Sequence, residues 1–219
     1  MAKPITEPPE WRRRARRAQA TAGPSGWGPG RVADAVTAGL AALDAGDDGA
    51  VRAAAEVCRS MAWDQPDDLA GLRIGDAADE VVLAHRPGQR FDVPAAAAAF
   101  LARAFEALGD EEHLDAAVEL HDTVVAMGEP VWSTPRGAVA AGWAGAVLHE
   151  VTGELAFLAT AERGADVICE MQAPDGSWGD PGETALVARL LEEMADAVEA
   201  RVGVDPEPDL ESEVGGEGG

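Results

Sequence analysis

Apolar side chains recur at intervals of three and four residues along most of this chain. In the stretch from 112 to 127, for example, the repeat runs through Leu114, Ala117, Val118, His121, Val124 and Val125. This spacing places the apolar side chains on one face of an α-helix. The same pattern predicts seven helices, which span residues 30–45, 49–63, 93–108, 112–127, 136–152, 155–172 and 182–202.

The helices fall into pairs with short connections, which predicts helical hairpins. The hairpins also repeat in sequence. ALGDEEHLDAA at 107–117 returns 44 residues later as VTGELAFLATA at 151–161, and DAGDDGAVRAA at 44–54 is a weaker copy. In each copy we expect a glycine to end one helix in a left-handed cap and an acidic residue to begin the next. A repeated helix pair predicts an array in which each pair buries its apolar face on its neighbours.

The composition fits closely packed helices and disfavours strands. Hydrophobic residues make up 47% of the chain and aromatic residues 5%, and tyrosine is absent. Much of the hydrophobic fraction is alanine, which has the highest helix propensity, whereas the β-branched and aromatic runs typical of strands are missing. The sequence therefore predicts an all-α fold. Its helical domain spans 30–202, between a basic, breaker-rich leader at 1–29 and an acidic, disordered tail at 203–219.

The charge of the chain is large and unevenly distributed. The net charge is −23, yet residues 1–20 hold six basic and two acidic side chains. An acidic body of this kind repels nucleic acids and anionic membranes, so we expect no nucleic-acid partner for it. The basic leader either binds RNA or lipid headgroups, folds back on the acidic body, or stays mobile. The excess of acid with a single lysine, Lys3, fits a halophilic host or a GC-rich genome.

No segment predicts export, membrane insertion or a cofactor. The N-terminus lacks the apolar core of a signal peptide, and no apolar run has the roughly 18 residues of a membrane span, so we expect a cytoplasmic protein. Cys58 and Cys169 lie in amphipathic helices, which predicts buried free thiols. The four histidines are scattered and have no partner at zinc-ligand spacing, so we expect no metal site.

One stretch, RGADVICEMQAPDGSWGD at 163–180, resembles the QW motif of the squalene and terpenoid cyclases and of related α/α-toroid proteins, including the prenyltransferases. The resemblance rests mainly on Gln172, Gly176 and Trp178, whereas Val167 stands where the cyclases favour an aromatic residue. It implies helical hairpins arranged as a partial α/α toroid. It also implies that the glutamine bridges one helix end to the next, with the tryptophan stacked on its amide.

The rest of the family's pattern is incomplete. GPSGWGPG at 23–30 only loosely echoes DGSWGDPG at 175–182, with Trp27 at the place of Trp178. The cyclase acid motif, Asp-x-Asp-Asp, is not matched, because WDQPDD at 63–68 has a different spacing. The catalytic residues of the family therefore cannot be transferred to this chain.

Only positional candidates for a site remain. In α/α toroids the first helix of each pair is the inner one, and its N-terminal end helps to rim the central cavity. The side chains expected at these ends or along the inner helices are Arg31, Asp34, Arg90, Phe91, Asp92, Trp132, Arg136, Trp143 and Glu183.

Each of these candidates has a chemical and a structural interpretation. Arg90 and Arg136 either bind a carboxylate or phosphate, or neutralise acidic neighbours. Trp132 and Trp143 either stack on a ligand or pack in the core. The residues Asp92 and Glu183 are weaker candidates for acid–base catalysis.

Three functions follow from the sequence. The first is a terpenoid-cyclase-like or prenyltransferase-like protein whose concave face binds an apolar or isoprenoid-like ligand, with catalysis left open. The second is a carbohydrate-active α/α toroid of the hydrolase, lyase or epimerase type. The third is a non-catalytic helical-repeat protein, because an incomplete ring leaves an open apolar edge for a protein partner or a second copy.

Overall fold

The computed structural model of the protein describes residues 8–19, 26–28, 30–63, 71–74, 81–83 and 86–202. In these residues the chain forms nine helices: α1 (Pro8–Ala18), α2 (Arg31–Ala45), α3 (Asp48–Trp63), α4 (Asp92–Leu108), α5 (Glu111–Ala126), α6 (Glu129–Trp132), α7 (Pro135–Thr152), α8 (Leu155–Met171) and α9 (Pro181–Val202). Two short strands, β1 (Gly71–Arg73) and β2 (Val81–Leu83), pair antiparallel. The predicted acidic tail and the acidic stretch at 64–68 lie outside the described residues.

The all-α fold class is confirmed. The seven predicted helices correspond to α2, α3, α4, α5, α7, α8 and α9, with ends that differ by at most one residue. The pattern did not predict α6, which is a single turn, or the hairpin of β1 and β2. The hairpin contributes Leu72 and Val82 to the core, but its strands have only three residues each and are too short to show an alternating pattern.

The repeated glycines end their helices as the sequence predicts. Gly46, Gly109 and Gly153 follow α2, α4 and α7 in the left-handed conformation, with φ of 67°, 70° and 78°. At the start of α5, the side chain of Asp110 accepts a hydrogen bond of 3.2 Å from the backbone N–H of Glu112. Before α3, the side chain of Asp47 likewise accepts a hydrogen bond of 3.0 Å from the backbone N–H of Ala50, whereas Glu154 before α8 makes no side-chain cap. All three junctions therefore share the glycine cap, and two of them share the acidic N-cap.

The helices pack in two rows. α2, α4, α7 and α9 lie side by side in chain order, and we call them the inner helices. α3, α5 and α8 each pack on the preceding inner helix. The middle inner helices are buried on all sides, as the run of five alanines at 95–99 and the run at 137–149 show. Small side chains allow this close approach between neighbouring helices.

α9 receives its outer partner from the other end of the chain. α1 packs on α9, burying Trp11, Ala15 and Ala18. The guanidinium of Arg12 binds Asp196 at 2.5 Å and Glu199 at 2.7 Å, both on α9. The described part of the basic N-terminal segment therefore folds back on the acidic body and completes a fourth helix pair.

Cys58 and Cys169, both in described helices, form no disulfide bond and are buried, as predicted. Burial raises the pKa of the Cys58 thiol to about 12, because a thiolate in an apolar environment loses its hydration. The Cys58 thiol is therefore a packing group in the core rather than a reactive nucleophile.

Candidate functional site

The N-terminal ends of three inner helices converge on one polar cluster. Asp92 is the first residue of α4, Arg136 lies in the first turn of α7, and Glu183 lies in the first turn of α9. A guanidinium nitrogen of Arg136 lies 3.1 Å from the Asp92 carboxylate, which is almost fully buried. The structure thus brings together both sequence-predicted carboxylates and one of the two predicted arginines.

The carboxyl group of Glu183 is the titratable group that this cluster perturbs most clearly. Burial raises its pKa above the usual value for glutamate, and the nearby charges of Asp180 and Asp92 raise it further. Arg136 acts in the opposite direction through its charge and through a hydrogen bond from its backbone N–H. The cluster therefore holds a proton on Glu183 to a higher pH than water would.

A short segment from the N-terminal part of the chain covers these helix ends. We call Gly26–Gly28 the strap. The carbonyl oxygen of Gly26 accepts a hydrogen bond of 2.9 Å from Arg136, and the carbonyl oxygen of Trp27 accepts one from Arg90. The Trp27 indole stacks on Trp143 of α7, with ring centroids 5.8 Å apart and planes inclined by 16°. Arg90, Arg136 and Trp143, three of the side chains predicted to bind a ligand, therefore contact the strap.

The backbone of the strap approaches Arg90 closely. Gly28 has φ of 79°, and a Cβ atom at this position would lie 3.2 Å from a guanidinium nitrogen of Arg90. A side chain here would be strained by the backbone conformation and would press on the guanidinium. Glycine at this position therefore lets the strap lie flat on the arginine.

A buried aromatic side chain precedes every inner helix by one to four residues. The four residues are Trp27 before α2, Phe91 before α4, Trp132 before α7 and Trp178 before α9. Each is at most 4% exposed. The echo between the segments at 23–30 and 175–182 is the sequence signal that relates the first of these positions to the last. The repeat of the array thus extends from the helices into the connections between pairs.

Trp132 packs against a side chain of α8. Its ring packs under the guanidinium of Arg163 on α8, 4.4 Å from the ring centroid, and Arg163 also binds Glu129 at 2.9 Å. Its indole N–H is buried and has no hydrogen-bond acceptor among the described residues. Phe91 is fully buried in the core. In the structure Trp132 and Phe91 are therefore buried packing residues.

The QW-like segment joins three helices. The Trp178 indole N–H donates a hydrogen bond of 2.8 Å to the carbonyl oxygen of Ile168 in α8. Its backbone N–H donates to the hydroxyl of Thr184 in α9, at 3.1 Å. The amide of Gln172 donates to the carbonyl oxygens of Gly176, at 2.9 Å, and of Arg14 in α1, at 3.0 Å. In this structure the segment fastens α1, α8 and α9 to one another.

Neither a metal site nor a membrane-spanning helix is found among the residues that the structure describes. No group of three or more His, Cys, Asp or Glu side chains among them could hold a metal ion. Within the same part of the chain, none of the helices combines the length and the apolarity needed to cross a membrane.

Comparisons of the chain with protein-family models, with curated proteins and with solved structures find no match. The assignment of a function therefore rests on the geometry of the polar cluster and the strap.

Proposed function

We propose that this protein binds a small ligand with an apolar body and an anionic group at the N-terminal ends of α4, α7 and α9. The observation that supports this proposal is the set of contacts made by the strap. Two of its carbonyl oxygens bind Arg90 and Arg136, and its indole covers Trp143. Oxygen acceptors joined to a flat apolar group are what such a ligand would present.

The chemistry of these side chains favours an anionic ligand over the neutral strap. A guanidinium binds a carboxylate or phosphate through hydrogen bonds in which both partners are charged and which are often bidentate, so these bonds are stronger than its bond to a neutral carbonyl oxygen. Arg90 and Arg136 are only partly buried, so their guanidinium groups can be reached from solvent. The face of Trp143 offers a large, rigid surface for an apolar group.

An isoprenoid diphosphate is the ligand class that we favour. The paired helices and the QW-like segment support a relationship with the terpenoid cyclase and prenyltransferase toroids. The acid motif of the cyclases is missing, so the proposal is for binding and assigns no reaction. The alternative is a non-catalytic interaction protein. Such a protein would bind a second copy of itself or a protein partner at the end of the helix array.

Native mass spectrometry of protein purified from its source cells tests the ligand class directly. A copurified lipid or isoprenoid is the expected result. A stoichiometric protein partner without a small molecule would instead favour the interaction protein.

Calorimetric titration of the purified protein tests the site. Farnesyl diphosphate should bind more tightly than either farnesol or inorganic diphosphate, because only it offers both the apolar body and the anionic group. Arg90→Gln should weaken its binding by about tenfold, which is the loss of one charge-assisted hydrogen bond. The matched control is Arg103→Gln at the far end of α4, where Arg103 pairs with Glu106 and Glu150. Equal affinities for the two variants would remove Arg90 from the site.

The carboxyl pair supports a second candidate function, acid–base catalysis on a carbohydrate. Glu183 has a raised pKa and lies near Asp92, which is paired with Arg136. A carboxyl group with a raised pKa beside a carboxylate that is paired with an arginine is the kind of acid and base that glycoside cleavage uses.

A panel of fluorogenic glycosides tests this second function. The expected result is a slow release of the fluorophore that Glu183→Gln and Asp92→Asn each reduce by 100-fold or more, in line with the roughly 10²–10⁴-fold contribution of a general acid or base. Unchanged release in both variants would show that the carboxyl pair has no part in the reaction.

A further inference from the structure

We infer that the strap is an intramolecular competitor for the ligand and that the site opens when Trp27 leaves Trp143. This inference rests on the proposed ligand-binding function. The strap and a ligand would use the same guanidinium groups and the same indole face, so both cannot be bound at once. The structure then represents the closed state of a gated binding site.

The two glycines of the strap lie at the surface of the protein. Gly26 and Gly28 are exposed, and a Cβ atom at Gly26 would meet no other atom within 4 Å. Gly28 and Gly30 both have positive φ, of 79° and 133°, immediately before α2. Glycines adopt several backbone conformations at low cost, so the backbone of Gly26 and Gly28 does not fix the strap in one conformation.

Trp178 provides a contrast within the same molecule. It also precedes an inner helix and is also buried, but hydrogen bonds to Ile168 and Thr184 fix both its indole and its backbone. The contacts of Trp27 described above are a ring stack and a carbonyl oxygen on a partly exposed arginine. Of two equivalent aromatic positions, one is anchored within the fold and the other rests on the candidate site.

A competing strap makes a quantitative prediction about affinity. The apparent dissociation constant of the ligand equals the intrinsic constant divided by the fraction of molecules in the open state. A change that weakens the strap but spares the arginines therefore tightens binding, although it removes contacts from the folded protein. A residue that merely packs in the core would have the opposite effect or none.

Farnesyl diphosphate binding to Trp27→Ala tests the inference. We expect this variant to bind at least about tenfold more tightly than the natural sequence, because the open fraction rises. The control is Phe157→Ala, which removes a buried aromatic ring that packs edge-on against His121, 5.0 Å away, at the opposite end of α7. That variant should be destabilised but should bind with unchanged affinity.

The outcomes separate the inference from the proposal beneath it. If the natural sequence binds farnesyl diphosphate and Trp27→Ala binds it equally or more weakly, the strap is no competitor and the inference is wrong. If neither protein binds farnesyl diphosphate, the proposed function fails, and the inference fails with it.

A measurement on the natural sequence does not depend on whether a variant folds. Labelling with 5-fluorotryptophan gives one ¹⁹F resonance for each of the six tryptophans, and Trp27→Phe assigns the one from Trp27. Saturating farnesyl diphosphate should move the Trp27 resonance to the position of a solvent-exposed indole and leave that of Trp178 in place. A Trp27 resonance that keeps its buried position while the ligand is bound would overturn the inference.

Discussion

Tryptophans that look alike in the sequence have different partners in the structure. The indole N–H of Trp178 has the carbonyl oxygen of Ile168 as its acceptor, whereas the indole N–H of Trp132 is buried and has no acceptor among the described residues. A buried polar group without a partner costs free energy, but the loss of one member of a pair leaves the other unsatisfied. The two positions should therefore respond differently to the same substitution.

Replacement of each indole by a phenyl ring tests this difference. Trp178→Phe should lower the free energy of unfolding by at least about 1 kcal/mol more than Trp132→Phe, because Ile168 would be left with an unpaired buried carbonyl. Urea denaturation of the two variants measures both values against the natural sequence. Equal losses would mean that the hydrogen bond to Ile168 contributes nothing beyond ring packing.

The raised pKa of Glu183 predicts how stability depends on pH. The folded state holds this proton more tightly than the unfolded chain, whose glutamate pKa is near 4.5. The favourable contribution is therefore complete below that pH and is lost as pH rises through the folded-state pKa. Relative to the natural sequence, Glu183→Gln should become progressively more stable between pH 4.5 and 8.

Urea denaturation at pH 4.5 and at pH 8 measures this effect. Glu119→Gln on the exposed face of α5 is the control, and its difference from the natural sequence should be the same at both values. A constant difference for Glu183→Gln as well would show that the surroundings of Glu183 do not favour its protonated form.

Residues whose partners are close in sequence could be predicted from local patterns, whereas residues whose partners are distant in the chain could not. A glycine followed by an acid marks a helix junction within a few residues, so the caps at Gly46, Gly109 and Gly153 could be found from the sequence. The bond between Arg136 and the strap spans 110 residues, and the one between Arg90 and the strap spans 63. No local spacing encodes such pairs. The sequence therefore indicates the two arginines as candidates but does not indicate that they bind the strap.

The helices were predictable to the extent that their apolar pattern was long enough to read. The seven longest regular segments in the body of the chain repeat every three to four residues over four or more turns, which separates a helix from a strand. α6 has one turn, and β1 and β2 have three residues each, so none of them completes a period. The packing of α1 on α9 is a contact between distant segments, which a local pattern does not reveal.

The crossing of α7 and α8 depends on two glycines that face each other. A Cβ atom on Gly164 would lie 2.7 Å from the Cα atom of Gly142 and 2.8 Å from the carbonyl oxygen of Ala138. Both neighbours are backbone atoms, so the helices themselves would have to separate. Gly164→Ala should therefore lower the free energy of unfolding by about 1–3 kcal/mol, the usual range for overpacking in a core.

Gly49→Ala is the matched control for this substitution. Gly49 lies in the first turn of α3, is exposed, and would place its Cβ atom no closer than 3.4 Å to the Asp47 carboxylate. Alanine is favoured over glycine in helices, so we expect a gain of up to about 1 kcal/mol. Thermal or urea denaturation of both variants measures the difference. If Gly164→Ala were as stable as Gly49→Ala, α7 and α8 would not need a glycine at position 164 to pack together.

The charge of the whole molecule acts against its compact state. The chain has 40 acidic and 17 basic side chains. Ion pairs such as those of Arg12 offset only part of the repulsion between the acidic side chains. At 0.1 M salt, charges interact over about 10 Å, and at 1 M over about 3 Å. Raising KCl from 0.1 to 2 M should therefore raise the midpoint of thermal unfolding.

The ion pairs of α1 give this prediction an internal control. Arg12→Gln should lower the free energy of unfolding by about 0.5–1 kcal/mol at 0.1 M KCl, as expected for partly exposed pairs, and by less at 2 M. Equal stability of the natural sequence at both salt concentrations would mean that charge repulsion does not limit stability and would contradict an adaptation to high salt.

The packing of α1 on α9 sets an order of events during synthesis. Arg12 and Asp196 are 184 residues apart, so α1 leaves the ribosome long before its partner exists. At about 5–20 residues per second, the wait is roughly 10–40 s. During that time Trp11 has no α9 on which to pack. The docking of α1 must therefore be among the last steps of folding, and a nascent chain halted before α9 should be a substrate for chaperones.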